Sequence, residues 1–219
     1  MNISKRLKAI ADLISDGSYI MDVGCDHAYL CIYLAKEKNC YCIASDINEG
    51  PLKQAILNIE KYNVKDRVKV LLQDGIKSVD KDVDTIVISG MGTSTIIDIL
   101  SGNKENLNNI KNIIISSNND YYKLRYEMMI LGFSIRDEKF IKDRNKYYLI
   151  IDFTKGNIKY SKKELEYGPV LLNGNDSVYK EYLKDYMEKQ ILIRNNLGFK
   201  NILLKFKLNK KIKEIERLL

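Results

Sequence analysis

The chain of 219 residues contains no run approaching the ~20 consecutive apolar residues that a membrane-spanning helix needs. Met1 to Arg6 does not lead a charged segment into an apolar one, so no secretory signal is read there, and a cytoplasmic protein without a membrane partner is expected. Proline is scarce, and two in the whole chain leave little room for a flexible linker. No internal repeat is present. Cysteine is confined to Cys25, Cys31, Cys40 and Cys42, and no two of them form a C-x-x-C knuckle. Cys40 and Cys42 alternate with Tyr41 and Ile43 as in a buried strand, while Cys25 and Cys31 sit at the start of a helical pattern. All four read as small core residues, and no metal site is expected.

What the chain does have is 45% hydrophobic residues, enough for one sizeable α/β core and a small second unit. It also has an uneven charge. Residues 1–155 carry 22 Lys and Arg against 21 Asp and Glu, whereas residues 156–219 carry 14 against 8. A basic segment beside a neutral one suits a polyanionic partner, because Lys and Arg neutralise phosphates and release counterions. A lysine-rich solvated helix surface would give the same count.

The period of the apolar residues sets out the elements. Ile3, Leu7, Ile10, Leu13 and Ile14 follow helical spacing. Tyr19–Val23 reads as a buried strand, Gly24 as a tight turn, 26–37 as a helix and Cys40–Ser45 as a second strand, a complete βαβ unit. The alternation continues with a helix over 49–62, strands at 68–72 and 85–88, a helix from about Ser94, a strand at 113–116 and a helix over 121–131. Phe133–Ile135 and Tyr147–Phe153 then predict a strand returning antiparallel to close the domain. Past Lys155 the strand-like runs stop. Val178, Tyr182, Leu183, Tyr186, Ile193 and Leu197 form a helical stripe after a cap at Asn175 or Asp176. A second stripe carries Ile202, Phe206, Ile212 and Ile215. The expected architecture is a doubly wound α/β sheet over residues 1–155 and a basic helical hairpin over 156–219.

Ligands of such sheets sit at the carboxyl ends of the strands. The first strand ends in Asp22-Val-Gly24-Cys25-Asp26-His27-Ala-Tyr29, the second in Ser45-Asp46 and the third in Gln73-Asp74-Gly75. The fourth ends in Ser89-Gly90-Met91-Gly92 and the fifth in Ser116-Ser117-Asn118-Asn119. Asp46, at the end of the second strand, is placed to accept from both hydroxyls of an adenosine ribose; a helix-capping aspartate is the alternative. Asp26 stands where the second glycine of a dinucleotide loop would stand, and its charge would repel a pyrophosphate. S-adenosylmethionine carries no phosphate. Its ammonium and sulfonium groups are positive, which suits Asp22 and Asp26, while Asp74-Gly75 suits the adenine end.

The stretch Asp22-Val-Gly-Cys-Asp-His-Ala-Tyr-Leu30, with Ser89-Gly-Met-Gly92 and Tyr167-Gly-Pro169 ahead of a helical tail, resembles the bacterial tRNA (adenine(22)-N(1))-methyltransferase family, often called TrmK. The resemblance spans the whole chain. It implies a Rossmann-like class I methyltransferase fold with a coiled-coil-like C-terminal hairpin, and methyl transfer to N1 of adenosine 22 in tRNA. Cys25, Cys31, Thr93 and Ser116-Ser117 depart from the family pattern, which bears on details of the pocket.

On these grounds the cofactor-binding set is expected to be Asp22, Gly24, Cys25, Asp46, Ile47, Asp74, Gly75, Gly90 and Met91. The expected catalytic set is Asp26, to stabilise the developing cation, His27 and Tyr29, to orient or stack on the adenosine, and Asn118, to contact its base edge. His27 and Tyr29 could equally serve backbone bonding and core packing. Arg125, Arg136, Lys139, Lys142, Arg144 and Lys146 are candidates for holding phosphates. A monomer or weak dimer is expected. Two competing readings remain: a methyltransferase acting on a protein or small molecule, and a non-catalytic cofactor-sensing RNA-binding protein.

Overall fold

The computed structural model describes residues 1–198 and 201–219. The chain divides into two compact units, Met1–Val170 and Leu171–Leu219. The first is built on one sheet of seven strands: β1 (Tyr19–Val23), β2 (Tyr41–Asp46), β3 (Val68–Leu72), β4 (Thr85–Ser89), β5 (Asn112–Ser116), β6 (Phe133–Asp143) and β7 (Lys146–Lys155). Their spatial order is β3-β2-β1-β4-β5-β7-β6. β1 to β5 are parallel, whereas β7 lies antiparallel between β5 and β6. The crossovers are α2 (Tyr29–Lys38), α3 (Glu49–Lys61), α4 (Thr93–Ser101) and α5 (Tyr121–Ile130), with α1 (Lys5–Asp12) preceding β1.

The inner strands are largely apolar because both faces of a parallel sheet are covered, with Asp22 of β1 and Ser45 of β2 as buried polar exceptions near their carboxyl ends. Met21 of β1, Ile86, Val87 and Ile88 of β4 and Ile113, Ile114 and Ile115 of β5 are all buried. All four cysteines are free and buried: Cys25 in the loop after β1, Cys31 on α2, Cys40 just before β2 and Cys42 within it. The chain starts at β1, winds outward to β3, then returns to β4 on the other side of β1. That reversal opens a crevice at the carboxyl ends of β1 and β4, where two connections leave in opposite directions.

Most boundaries fall within a residue or two of the sequence expectation, and three differences bear on the site and its frame. The helix expected from Asp26 starts at Tyr29, because Asp26 and Ala28 hold φ of 52° and 58° and keep the chain out of helical geometry. β2 runs one residue further on than its apolar pattern. β6 is much longer than the Phe133–Ile135 core, since its outer half, with alternating polar residues, is held by β7 after a register shift between Ile135 and Asp137.

Beyond β7, α6 (Lys162–Tyr167) opens with a capping box between Ser161 and Glu164. It belongs to the first unit, which runs to Val170. The fastening is a buried ion pair. Arg125 Nε lies 2.7 Å from Glu138 Oε1, with both side chains almost fully buried. Arg125 Nη1 donates to the carbonyls of Leu165 and Glu166, and Glu138 Oε2 accepts from Val170 N. Gly168, at φ 87°, passes so close to both side chains that a β-carbon there would collide with them.

The second unit holds α8 (Ser177–Asn196) and α9 (Ile202–Glu216), with α7 (Pro169–Asn173) leading in. Asp176 caps α8 by accepting from Val178 N and Tyr179 N. Tyr179 and Leu183 of α8 and Leu208, Ile212 and Ile215 of α9 are buried. Arg194 Nη1 donates to Asn209 Oδ1 across the pair. Among the described residues no helix is long and apolar enough to cross a membrane.

Candidate active site

The end of β1 is shaped by two backbone bonds. Gly24 N and Cys25 N both donate to Ser45 O at the end of β2, and Gly24 takes φ 74° to make the turn. A β-carbon on Gly24 would run into Met91 Cε, so the fourth loop lies directly over the first. Asn118 joins them from β5. Its Nδ2 donates to Gly90 O and its backbone N to Met91 O. Asn119 Oδ1 accepts from Thr93 N at the start of α4, and Thr93 Oγ1 lies 2.7 Å from Ser117 Oγ. The expected residues Gly24, Cys25, Gly90, Met91 and Asn118 thus form one rigid floor. Asn118 spends one of its side-chain amide N–H groups on Gly90 O.

Around this floor the charge is acidic. Asp22 is buried, and burial pushes its carboxyl up to about 7 against the opposing influences of the Cys31 thiol and Arg6. Cys31 Sγ lies 3.8 Å from Asp22 Oδ2. The Cys25 thiol is pushed up chiefly by burial and then by Asp22 and Asp46, so it stays protonated and inert. Asp46 Oδ1 accepts from Asn48 N, an Asx turn, and its backbone oxygen accepts from Gln73 N. The helix cap itself is Asn48, so Asp46 is not the cap of α3. Ile47 beside it is 62% exposed, an apolar side chain left facing solvent at the strand ends.

Asp26, His27 and Tyr29 rise from the first loop. Two left-handed non-glycine residues, Asp26 and Ala28, flank His27 and lift it off the helix path, a geometry that costs energy and persists only where surroundings enforce it. Ala28 N bonds Cys25 O, and buried Asn58 donates to His27 O at 3.0 Å. His27 Nε2 is 3.4 Å from Asp26 Oδ1, and the imidazole meets the Tyr29 ring edge-on at 6.0 Å. Nδ1 of His27 is buried without a hydrogen bond among the described residues.

Asp74 stands apart from this group. It is exposed and paired with Lys77 at 2.8 Å, while Gly75, at φ 63°, packs on Ile99 of α4. Gln73 clamps that loop by donating to Gly75 O and accepting from Ser78 N. Of the phosphate candidates, Arg125 is removed by its buried pairing with Glu138, and Arg136 is engaged with Asp152. Sequence reasoning named Gln73 without a role and passed over Asn58 and Arg6, whose contacts with His27 and Tyr148 are distant in the chain.

The floor fits an adenosyl group carrying positive charge. Glycine turns remove side chains where a ligand must lie close, Asp46 offers a free carboxylate oxygen, and the acidic first loop would repel a pyrophosphate. The methyltransferase-domain family matches residues 3–151. The tRNA (adenine(22)-N(1))-methyltransferase of Bacillus subtilis is 30% identical over 153 residues, 69% of this chain and 64% of that enzyme, so the match spans just under two thirds of that relative. A putative tRNA methyltransferase of Mycoplasma genitalium is 30% identical over 201 residues, 86% of this chain and 89% of that one. The crystal structure of a Streptococcus pneumoniae putative tRNA (m1A22) methyltransferase in complex with S-adenosyl-L-methionine shares 30% identity and a TM-score of 0.91, covering 100% of both chains. With sequence, fold and loop chemistry in agreement, the chain belongs to the methyltransferase-domain family and, within it, to the bacterial tRNA (adenine(22)-N(1))-methyltransferases.

Proposed function

We propose that this chain transfers the methyl group of S-adenosylmethionine to N1 of adenosine 22 in tRNA. The observation that carries the reading is the full-length likeness to the pneumococcal protein bound to that cofactor. The acidic first loop supports it from the chemistry. S-adenosylmethionine supplies the electrophilic methyl group; the chain's own residues hold the adenine and manage charge. Adenine N1 already presents an in-plane lone pair, so no covalent enzyme intermediate is needed and alignment is the main task.

Asp46 takes the ribose hydroxyls, Ile47 lies against the adenine, and Asp22 with the Gly24–Cys25 turn faces the charged amino-acid end. Asp74 and Gly75 border the adenine edge, where opening of the Asp74–Lys77 pair frees the carboxylate. Asp26 stabilises the positive charge that develops on the target ring. His27 and Tyr29 orient the target base, and Asn118 Oδ1 meets its edge while Nδ2 holds Gly90. The target must leave its stack in folded tRNA before reaction. The proposed division of labour puts the methyl-transfer chemistry in residues 1–155 and the holding of RNA phosphates in the basic segment 156–219. The protein is read as cytoplasmic and as a monomer or weak dimer.

The test is methyl transfer by the full chain from labelled S-adenosylmethionine, offered unmodified tRNA and a cell extract stripped of RNA. Label in tRNA supports the reading. Label in protein or small molecules would overturn it in favour of another acceptor, and cofactor binding with no label in any acceptor would leave a sensor.

A further inference from the structure

The acidic walls of the crevice account for the cationic parts of S-adenosylmethionine and leave its α-carboxylate without a partner. Carboxylates need a cation or a set of donors when taken from water. The other nearby cations are engaged: Lys77 pairs with Asp74, Lys123 donates to Ser94 Oγ, and Arg125 is buried against Glu138.

Arg6 is different. It lies on α1, four residues before buried Ile10, and therefore on the face of that helix turned to the core. Its guanidinium carbon sits 5.2 Å from the centre of the Tyr148 ring of β7. A methyl group placed on Gly90 would stand 3.6 Å from Arg6 Nη1 and 3.9 Å from Nη2. The two terminal nitrogens therefore face the same point above the fourth loop. Among the described residues the guanidinium makes no hydrogen bond and no ion pair. An arginine laid on a ring keeps its N–H edge free, and that edge matches a carboxylate at two points. Asp22, whose carboxyl feels the Arg6 charge, lies on the same side of the crevice.

We propose that Arg6 is a specificity residue for the amino-acid end of the cofactor: stacked on Tyr148 with both terminal nitrogens over Gly90, it receives the α-carboxylate as a two-point pair. Gly90 is then glycine for a second reason besides its φ of 83°, since a side chain there would stand between the guanidinium and its ligand. The assignment rests on the reading of the cofactor as S-adenosylmethionine.

The test compares S-adenosylmethionine with its decarboxylated analogue, which differs only in the missing carboxylate, by titration calorimetry on the full chain. Wild-type protein should lose about 10- to 100-fold in affinity when the carboxylate is removed, the worth of a charge-assisted pair. Arg6→Met should bind both ligands alike, with S-adenosylmethionine weakened to the level of the analogue. Arg6→Lys, which keeps the charge and loses the fork, should fall between and covers the case that Met disturbs α1. A Met or Lys variant that keeps the full wild-type preference overturns the proposal. So does an Arg6→Met variant whose only loss is in tRNA affinity, which would assign the guanidinium to an RNA phosphate. Failure of wild-type protein to bind either ligand would instead remove the cofactor reading, and this assignment with it.

Discussion

At the scale of single residues, the site works by placing carboxylates where positive charge is to arrive. Asp22 is the clearest case. Its folded-state carboxyl titrates at about 7 against an ordinary 3.8, so between those values the folded chain holds a proton that the unfolded chain has lost. Stability contributed through this group is therefore highest at low pH and falls as pH rises through that window. A cationic ligand favours the ionised form, so cofactor affinity should rise between about pH 6 and pH 8, with proton release visible as a buffer-dependent binding enthalpy. Asp22→Asn should flatten both dependences; an unchanged pH profile in that variant would separate Asp22 from the cofactor. Asp26 acts later. At cofactor and tRNA concentrations that saturate the variant, Asp26→Ala should lower turnover at least tenfold, about 1.4 kcal/mol of transition-state stabilisation. Single-turnover rates under saturation read this directly, and near-normal rates would reject the electrostatic role. Gly24→Ala forces a β-carbon onto Met91 and holds a left-handed φ of 74°, so a stability loss of about 1–2 kcal/mol should accompany weaker cofactor binding. Urea denaturation and calorimetry check the two parts separately.

At the scale of elements, what was legible in the sequence is what a period can carry. The alternation of buried strands and amphipathic helices located β1 to β5 and their crossovers, and the loops at their carboxyl ends held the acidic and glycine residues that the fold brings to one edge. The loop 24–28 was less legible. A helical pattern from Asp26 says nothing of two left-handed residues in a loop held by bonds to Ser45 and Asn58 and by the turn from Cys25 to Ala28. Nor does a pattern reveal α6 as part of the first unit, because beside buried Leu165 and Tyr167 its attachment is made by Arg125 and Glu138 from distant elements. Arg6 lay hidden for the same reason: a cation on an amphipathic helix reads as solvent-facing until Tyr148 is found beneath it. The Arg125–Glu138 pair also carries a prediction at this scale. Removing one partner strands a buried charge, so Arg125→Met or Glu138→Gln should each cost about 3–5 kcal/mol in urea denaturation. The double change Arg125→Met with Glu138→Leu should recover part of that loss. Single variants of wild-type stability would show that the pair does not fasten α6.

At the scale of the whole molecule, the charge is distributed to suit a nucleic acid substrate: a nearly neutral unit that contains the reacting groups, and a C-terminal segment with an excess of six positive charges. Phosphate neutralisation releases counterions, so tRNA affinity should fall linearly in a plot of log affinity against log salt. Replacing Lys207, Lys210 and Lys211 together by Gln should lower the slope by up to about 0.9 for each phosphate that is no longer neutralised, with cofactor affinity unchanged. An unaltered slope would make these lysines an ordinary solvated surface. The central claim is a reaction at one atom of one nucleotide, and mapping the product tests it most directly. Unmodified tRNA is incubated with the full chain and labelled S-adenosylmethionine, digested to nucleosides and compared with the same tRNA carrying a substitution at adenosine 22. The account predicts label in 1-methyladenosine that vanishes with the substitution; label that persists in the substituted tRNA, or that appears in another nucleoside, would contradict it.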